Sequence, residues 1–380
     1  MSAHDLVIRN ASVVDGTGAP ARIADVAVSD GVITEVGPRL SGTGTREIDA
    51  DGLTVTPGFV DIHTHFDGQA TWDPILAPSS IHGVTSIVMG NCGVGFAPAR
   101  PTPEQHAWLI GMLEGVEDIP GTALAEGLAW DWETFPDYMN ALDRREYAID
   151  VATQVAHAPL RAYVMGERGA DPLVAPTVDE LARMAMMVRE GMQAGALGFT
   201  TSRTYVHRTK AGAPHGTRYS SADELLALVS AMAETGSGVV QLISDAYLSA
   251  DTDFAVEEMQ LMEAMARATG RPLSMTVQQP EPLPDRWREV GAWVDTGVAQ
   301  GLPLSTQVAV RPIGVLQGLT ATVNPLLPCP SFVEIAGRPL NEIVLALRDP
   351  ERQARIVAEH AVALARIEGM ASEMFGGFHK

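Results

Sequence analysis

The sequence predicts an α/β fold: a (β/α)₈ TIM-like barrel, incomplete in that seven strands are visible, preceded by a small β-domain. From about residue 53, apolar strands of buried character alternate with longer helical stretches. This alternation is typical of a parallel sheet with crossover helices. Seven such units in succession favour a barrel over an open sheet. The residues before them follow a different sequence pattern, in which short apolar runs are joined by turn signals.

The N-terminal segment carries the pattern of a small β unit. Its short apolar runs are separated by Asp-Gly pairs such as Asp30-Gly31. Strands joined by such turns fit a small antiparallel sheet or a set of hairpins. We therefore expect a β-domain over residues 1–55, followed by a barrel over residues 56–380.

Seven apolar runs supply the predicted barrel strands: Leu53–Ile62, Val84–Met89, Asp150–Val155, Ala196–Thr201, Gly238–Ile243, Pro272–Val277 and Pro303–Val310. The clearest helices between them are predicted at Thr177–Ala194, Asp223–Thr235 and Ala255–Thr269. An eighth strand is not visible, because a Pro-rich stretch follows residue 310 and an amphipathic helix then spans about Asp349–Glu368. We therefore expect a truncated chain.

Composition and charge narrow the classes of partner. The 380 residues carry a net charge of −21, which repels phosphate backbones and anionic lipids and predicts neither a nucleic-acid nor a membrane partner. No apolar run approaches the ~20 residues that span a bilayer, and no secretory signal pattern opens the chain. The two cysteines do not make a disulfide scaffold, and they indicate a cytoplasmic protein.

A His-x-His pair is the first chemical signal. His63 and His65 end an apolar strand, where alternate side chains project to the same side. The carboxyl end of a barrel strand is where active sites lie, and two imidazoles there supply half of a metal site. The pair alone is a weak signal, since such pairs also occur by chance or for packing.

The context of this pair resembles the amidohydrolase superfamily. Hydantoinases, dihydroorotases, ureases and D-aminoacylases share a small N-terminal β-domain that leads through a Pro-Gly-hydrophobic-(Val/Ile)-Asp-x-His-x-His segment into the first barrel strand. Here that segment is Pro57-Gly58-Phe59-Val60-Asp61-Ile62-His63-Thr64-His65. The resemblance implies that His63 and His65 bind metal.

A second segment, Gly90-Asn91-Cys92-Gly93, resembles the D-aminoacylase (N-acyl-D-amino-acid deacylase) branch. In that branch the Cys is a metal ligand in place of the modified Lys of most relatives. The resemblance implies that Cys92 is the third ligand and that the cofactor is zinc, as one or two divalent ions. A thiolate suits zinc chemically. A buried structural Cys in a Gly-rich turn remains the alternative.

Four further residues are candidates for substrate binding. His157 lies in a segment similar to the piece after the family's third strand, and Arg203, Tyr205 and His207 follow the fourth strand. A cationic or phenolic group there suits a substrate carboxylate. A supporting or loop role for His157, and a solvated polar loop for the others, are equally open.

The chain also departs from the family pattern. In D-aminoacylases, strands five and six each supply a metal-binding His, whereas this chain has Gln241 and Gln278 (or Gln279) at roughly those positions. An amide oxygen binds zinc more weakly than imidazole does. The Asp of the last family strand, which moves the proton, has no match, because Asp295 and Asp349 look like surface residues. The catalytic residue is therefore unknown.

These observations predict a metal-dependent amidohydrolase that cleaves a non-peptide C–N bond, with N-acyl-D-amino acids as the expected substrates. Metal-activated water would attack the amide of a small molecule. Two alternatives stay open: an inactive or incomplete barrel that binds a ligand or a partner, and a cyclic-amide hydrolase of the hydantoinase or dihydropyrimidinase type. A homo-oligomer is a further expectation.

Overall fold

The computed structural model describes residues 3–117, 119–210, 212–249, 251–280, 283–309, 318–321 and 324–364. The chain divides into two compact units, one of Met1–Asp61 with Pro78–Ser86 and one of Ile62–Ala77 with Ile87–Lys380. The domain limits expected from the sequence, 1–55 and 56–380, stay a prediction.

The first unit contains a five-stranded sheet of β1 (Ala3–Val13), β2 (Arg22–Ser29), β3 (Val32–Gly37), β4 (Thr43–Asp49) and β5 (Thr54–Val55). Its order is β3-β2-β1-β4, and β5 also pairs with β1. The β1–β2 and β2–β3 pairs are antiparallel, whereas β4 and β5 run parallel to β1. The sheet is therefore mixed, and the expected antiparallel unit is only partly right, because turn signals report neighbouring strands and not distant partners.

The hairpin between β2 and β3 follows from its turn sequence. Asp30 and Gly31 both have positive φ, 52° and 73°. Two consecutive left-handed residues are the requirement of the tight turn that suits the twist of a hairpin. The core of this sheet is made of small and β-branched side chains: Ala11, Val13, Ala24, Val26 and Ala50.

The barrel strands are β6 (Phe59–Asp61), β7 (Val84–Met89), β8 (Asp150–Thr153), β9 (Val155–Ala156), β10 (Gly198–Arg203), β11 (Val239–Ser244), β12 (Leu273–Thr276) and β13 (Leu304–Gln307). They form two sheets in chain order, β6-β7-β8 and β9-β10-β11-β12-β13. Only Gln154 separates β8 from β9, so the predicted third strand is present in two pieces. All pairs from β9 to β13 are parallel, as predicted.

One predicted strand is wrong in its extent. The run Leu53–Ile62 is not continuous, since β5 belongs to the first sheet and β6 begins only after Pro57-Gly58. Proline has no N–H for a sheet ladder. A Cβ at Gly58 would lie 2.0 Å from Oγ1 of Thr85, so only glycine fits beside that side chain.

The helices are α1 (Pro103–Glu117), α2 (Gly121–Gly127), α3 (Phe135–Asp143), α4 (His157–Met165), α5 (Val178–Gln193), α6 (Ala222–Ala233), α7 (Thr252–Thr269), α8 (Arg286–Ala299), α9 (Pro330–Ala336), α10 (Leu340–Ala346) and α11 (Pro350–Leu364). The three helices predicted between strands are α5, α6 and α7. A capping box at Thr177 starts α5, because the Thr177 hydroxyl and the Glu180 carboxylate each accept a backbone N–H of the other residue.

After β13 the described secondary-structure elements are helices. Helices α9, α10 and α11 share an apolar cluster of Cys329, Phe332, Ile335, Ile343 and Ile356. The predicted amphipathic helix is present as α11, and its expected end near residue 368 lies outside the described residues, as does residue 310 at the end of the seventh predicted strand. Among the helices that are described, none is long and apolar enough to cross a bilayer.

Candidate metal centre

The three side chains expected to bind metal lie together. His63 and His65 follow β6, Cys92 follows β7, and one donor atom from each lies within 4.8 Å of the other two. Nε2 of His63 is 3.2 Å from Sγ of Cys92. The two imidazole rings have centroids 5.4 Å apart and planes inclined by 62°. A sulfur and two ring nitrogens at this separation are a donor set that suits zinc.

A left-handed turn aims Cys92 at the two imidazoles. Gly90 and Gly93 have φ of 78° and 68°, and a Cβ at Gly90 would lie 2.4 Å from the backbone oxygen of Gln154. Cys92 itself has φ of 55°. For a non-glycine residue this conformation costs about 1–2 kcal/mol. Such strain persists where the surrounding structure imposes it, and it is concentrated at functional sites.

Gln241, on β11, has a structural task at the position where the family pattern has His. Its Oε1 accepts a hydrogen bond from the backbone N–H of Cys92 at 3.0 Å, and its Nε2 lies 3.4 Å from Oγ1 of Thr276. The amide oxygen is therefore directed at the backbone of a predicted ligand. After β12, Gln278 is half-buried, and Nε2 of Gln279 donates to the carbonyl of Pro284 at 3.1 Å.

Two contacts to the histidines were not expected. Oε1 of Gln307, the last residue of β13, lies 2.9 Å from Nδ1 of His63. Oε1 of Glu117, the last residue of α1, lies 3.1 Å from Nε2 of His65. The strand-end position of Gln307 is a signal that the sequence offered. No signal in the sequence pointed to Glu117, because the end of a helix in a long insertion has no fixed position relative to the barrel strands.

His207, predicted to bind substrate, lies beside the same sulfur. Its donor atom, one from Cys92 and one from Glu117 all lie within 4.8 Å of one another. Nδ1 of His207 is 2.9 Å from Oγ of Ser202, and the ring is buried. The structure therefore places His207 with potential metal donors, and a role in substrate binding stays a prediction.

Burial is the main cause of the pKa shifts of His65, His207 and Cys92. It lowers the pKa of His65 well below its usual range, with the positive forms of His63 and His207 adding to the effect. Burial, and then His63, lower the pKa of His207 to about 3. Burial, and then the carboxylates of Glu117 and Asp67, raise the pKa of the Cys92 thiol. The rings of His65 and His207 are thus neutral, which is the form that binds metal.

Asp67 is a further buried carboxyl near these side chains. Burial raises its pKa to about 7, and among the described residues its Oδ2 has no hydrogen-bond partner. Its backbone oxygen accepts a hydrogen bond from the Tyr138 hydroxyl at 2.7 Å, which ties this loop to α3. This contact fixes the loop that follows the two histidines.

Arg203 and Tyr205 are both engaged within the fold. The Arg203 guanidinium makes three hydrogen bonds to Glu258, the shortest at 2.5 Å, and a fourth to the Ser220 backbone. The backbone N–H of Tyr205 donates to the carboxylate of Asp245 at 2.9 Å. These contacts explain why the residues lie where they do, and their roles in substrate binding stay predictions.

His157 lies in a buried polar network. Its Nδ1 is 2.9 Å from Oγ1 of Thr201, and its Nε2 is 3.0 Å from Oε1 of Glu224. The same carboxylate oxygen accepts from Arg161 at 2.5 Å. The ring is fully buried, so the structure favours the supporting role that the sequence left open, and substrate contact by His157 stays a prediction. The remaining acidic candidates, Asp295 and Asp349, are exposed, as expected.

Comparison with known proteins identifies relatives of this chain. A family model described as the Amidohydrolase family matches residues 46–372. The chain is 36% identical over 202 residues to an N-acyl-D-aspartate deacylase of Alcaligenes xylosoxydans xylosoxydans, covering 53% of this chain and 37% of that protein. It is 34% identical over 202 residues to a D-aminoacylase of the same organism, covering 53% of this chain and 38% of that protein.

Solved structures agree with these relatives. The N-acyl-D-glutamate deacylase of Bordetella bronchiseptica, complexed with zinc and a phosphonate inhibitor, superposes with a TM-score of 0.64 at 30% identity, over 82% of this chain and 59% of that one. A D-aminoacylase structure gives a TM-score of 0.63 at 27% identity, over 80% and 58% of the two chains. The predicted fold class and the resemblance to the deacylase branch are confirmed. The chain spans less than two fifths of the length of the two Alcaligenes relatives.

Proposed function

Since the chain belongs to the Amidohydrolase family, we propose that it serves in a metal-dependent hydrolase that cleaves a non-peptide C–N bond. We propose N-acyl-D-amino acids as the substrate class, because deacylases of such compounds recur among its relatives. The observation that carries the proposal is the convergence of His63, His65 and Cys92 within 4.8 Å. These three residue types, in this arrangement, have the donor chemistry of a catalytic zinc site.

The donor set fits a zinc ion on its own chemistry. Cys92 is 3% exposed, so a thiolate there would be costly without a cation to balance it. Nδ1 of His65 is buried and has no hydrogen-bond partner among the described residues, which is unusual for a buried polar atom. When bound, the ion would lower the pKa of water to about 7 and polarise the scissile carbonyl.

The chain's own residues orient this set. Gln307 holds Nδ1 of His63, which leaves Nε2 facing the sulfur of Cys92. A partner on the second ring nitrogen fixes the tautomer and the orientation of a metal-binding imidazole. Gln241 holds the Cys92 backbone in the same way. The proposal assigns the catalytic acid or base to no residue of the described chain.

The net charge and the state of the two cysteines support the proposed partner and location. A small amide, and not a nucleic acid or a membrane surface, is the proposed partner, because the net charge is −21. The two cysteines are free and buried, which supports the proposed cytoplasmic location. Assembly into a homo-oligomer is also proposed, because β13 is the outer strand of its sheet among the described residues, and an open strand edge can pair with another chain.

Hydrolysis of N-acetyl-D-amino acids, with L-enantiomers and hydantoin as comparison substrates, tests the proposal. The chain is stripped with chelator and then loaded with one to two equivalents of zinc. We expect turnover of a D-enantiomer that requires zinc and falls at least 10³-fold in the Cys92→Ala variant. The His82→Gln variant, which changes an exposed histidine outside the predicted ligands, serves as the control. Equal rates in the wild type and the Cys92→Ala variant would rule out the proposed metal chemistry.

A second candidate function is ligand binding without turnover. It is favoured by Gln241, which occupies the expected position of a metal ligand and is committed to the Cys92 backbone. The same experiment separates the two functions. Saturable binding of an N-acetyl-D-amino acid to the zinc-loaded chain, with no product over many hours, would select the second.

A further inference from the structure

We infer that Glu117 and His207, together with Cys92, form a second site for a divalent cation, built from an insertion helix and a loop and not from strands five and six. The inference rests on the proposed function, in which His63, His65 and Cys92 hold the first cation. One donor atom each of Cys92, Glu117 and His207 lies within 4.8 Å of the other two. A sulfur, a carboxylate oxygen and an imidazole nitrogen form a donor set that zinc accepts, with a coordination position left open for water.

The imidazole of His207 has one nitrogen to offer. Its Nδ1 is 2.9 Å from Oγ of Ser202, on β10. The Ser202 side chain is itself fully buried, so this contact fixes the plane of the ring. The remaining nitrogen, Nε2, is then the atom available to a cation, and a fixed second nitrogen is typical of metal-binding histidines.

Close packing holds Glu117 and His207 next to each other. A Cβ at Gly115 would lie 2.3 Å from the backbone oxygen of Arg208 and 2.4 Å from the backbone nitrogen of Lys210. The Lys210 N–H also donates to the carbonyl of Gly111 at 3.1 Å. The C-terminal half of α1 therefore lies against the backbone that follows His207. This contact is possible only because position 115 has no side chain, and it brings the end of α1 to the loop that carries His207.

A salt bridge also joins α1 to this loop, beside the proposed site. Nζ of Lys210 lies 2.7 Å from Oε1 of Glu114, one turn before Glu117 on α1. Both partners are outside the donor group, and Lys210 is largely exposed. Because Lys210 is exposed to solvent, this pair contributes little to stability, and Glu114 offers a matched control for Glu117 on the same helix.

Charge also favours a shared sulfur. A cation held by His63, His65 and Cys92 is balanced by one negative charge, that of the Cys92 thiolate. With a second cation bound, the Glu117 carboxylate adds a second negative charge. A thiolate has lone pairs for two metal ions, so Cys92 belongs to both groups without conflict. The remaining positive charge suits an anionic ligand such as a substrate carboxylate.

Strand five cannot easily supply the second site. The Oε1 atom of Gln241 already accepts the Cys92 N–H, and turning it toward a cation would leave that buried donor without its partner. An unpaired buried donor costs about 1–3 kcal/mol. Helix α1 therefore supplies a donor at the place where the family pattern has donors from strands five and six.

Titration of the chelator-stripped full chain with Co²⁺ tests the inference. Bound metal is counted by mass spectrometry after desalting, and thiolate coordination is followed by the sulfur-to-cobalt absorption in the near ultraviolet. We expect two equivalents in the wild type and one equivalent in both the Glu117→Gln and His207→Gln variants. The His63→Gln variant should also keep one. Glu114→Gln and His82→Gln are the controls, with two equivalents each.

A variant that removes no donor tests the packing. Gly115→Ala should separate α1 from the loop and weaken the second equivalent by about tenfold or more, while the first is unchanged. An unaltered second dissociation constant in Gly115→Ala would contradict the inference.

The outcomes separate this inference from the proposed function. Two equivalents in both Glu117→Gln and His207→Gln would overturn the second site. A single equivalent in the wild type, lost in His63→Gln and kept in Glu117→Gln, would overturn the second site and leave the proposed function standing. A single equivalent with the reverse pattern would support the second site and count against the first. No bound metal in the wild type would overturn both.

Discussion

The backbone N–H of Cys92 donates a hydrogen bond to Oε1 of Gln241 across 3.0 Å, between residues 149 positions apart in the chain. Cys92 has a left-handed backbone in a tight turn, and Gln241 is a buried residue of β11. The residue that stands where the family pattern has a metal ligand thus positions another predicted ligand.

Removing this hydrogen bond should destabilise the chain. The Gln241→Ala variant leaves a buried N–H without an acceptor, and we expect its free energy of unfolding to fall by about 1–3 kcal/mol. Zinc affinity should fall by about 10–100-fold, because the Cys92 turn loses its support. Urea unfolding and chelator competition measure the two effects. Gln278→Ala, at a half-buried position after β12, is the control, and equal behaviour of the two variants would contradict the role of Gln241.

Gln307 should affect metal affinity through His63. The Gln307→Ala variant removes the partner of Nδ1, so the ring loses its fixed tautomer and orientation. We expect about 10–100-fold weaker zinc binding with little change in stability. Chelator competition provides the dissociation constant. Gln300→Ala, at an exposed helix end, should bind as the wild type does, and a Gln307→Ala variant that does the same would show that the contact is incidental.

Arg203 should behave as a structural residue. Its side chain is 12% exposed and its partner Glu258 is 5% exposed. The Arg203→Met variant leaves a buried carboxylate without its cation, at an expected cost of about 3–5 kcal/mol in unfolding free energy. The double variant Arg203→Met with Glu258→Met should recover much of that loss. A role in substrate binding predicts the opposite result, a raised KM with stability within about 0.5 kcal/mol of the wild type.

The network of Glu224 with His157 and Arg161 should make stability depend on acid pH. Burial opposes the ionisation of Glu224, but the hydrogen bond with His157 and the Arg161 guanidinium outweigh it and lower its pKa to about 2. An unfolded Glu has a pKa of about 4.3. The carboxylate therefore adds stability, roughly 3 kcal/mol, that is complete above pH ~4.3 and lost as the pH falls toward 2.

Urea unfolding between pH 7 and pH 3 measures this contribution. Glu224→Gln should be less stable than the wild type at pH 7, and the difference should shrink as the pH falls below about 4.3. Glu234→Gln, whose carboxylate is 58% exposed, should show no such convergence. A gap between Glu224→Gln and the wild type that stays constant over this range would mean that the ionised carboxylate is not what stabilises the network.

Much of the fold was predictable because its signals are local. The strand and helix periods predicted the barrel strands apart from the extent of the first, and the Asp30-Gly31 turn predicted the hairpin. The parallel pairing of β1 with β4 was not predictable, since a strand pattern does not name a distant partner. The division of Leu53–Ile62 was not predictable for the same reason, because β5 pairs with β1 whereas β6 pairs with β7.

In the candidate site, too, the residues with a local sequence signal were predictable, and those placed by tertiary packing were not. His63, His65 and Cys92 stand at strand ends, and strand ends of a barrel converge, so their proximity followed from the sequence. Glu117 reaches the group only through the packing of α1 against residues 208–210, which depends on the missing side chain at Gly115. Arg203 looked available because its partner, Glu258, is 55 residues away on α7.

The central claim is that His63, His65 and Cys92 hold a cation, and X-ray absorption at the zinc edge of the zinc-loaded chain tests it most directly. We predict a spectrum with a sulfur ligand at about 2.3 Å and imidazole nitrogens at about 2.0–2.1 Å. The sulfur contribution should vanish in the Cys92→Ala variant. Zinc bound to the wild type by oxygen and nitrogen alone, with no sulfur neighbour, would contradict the account.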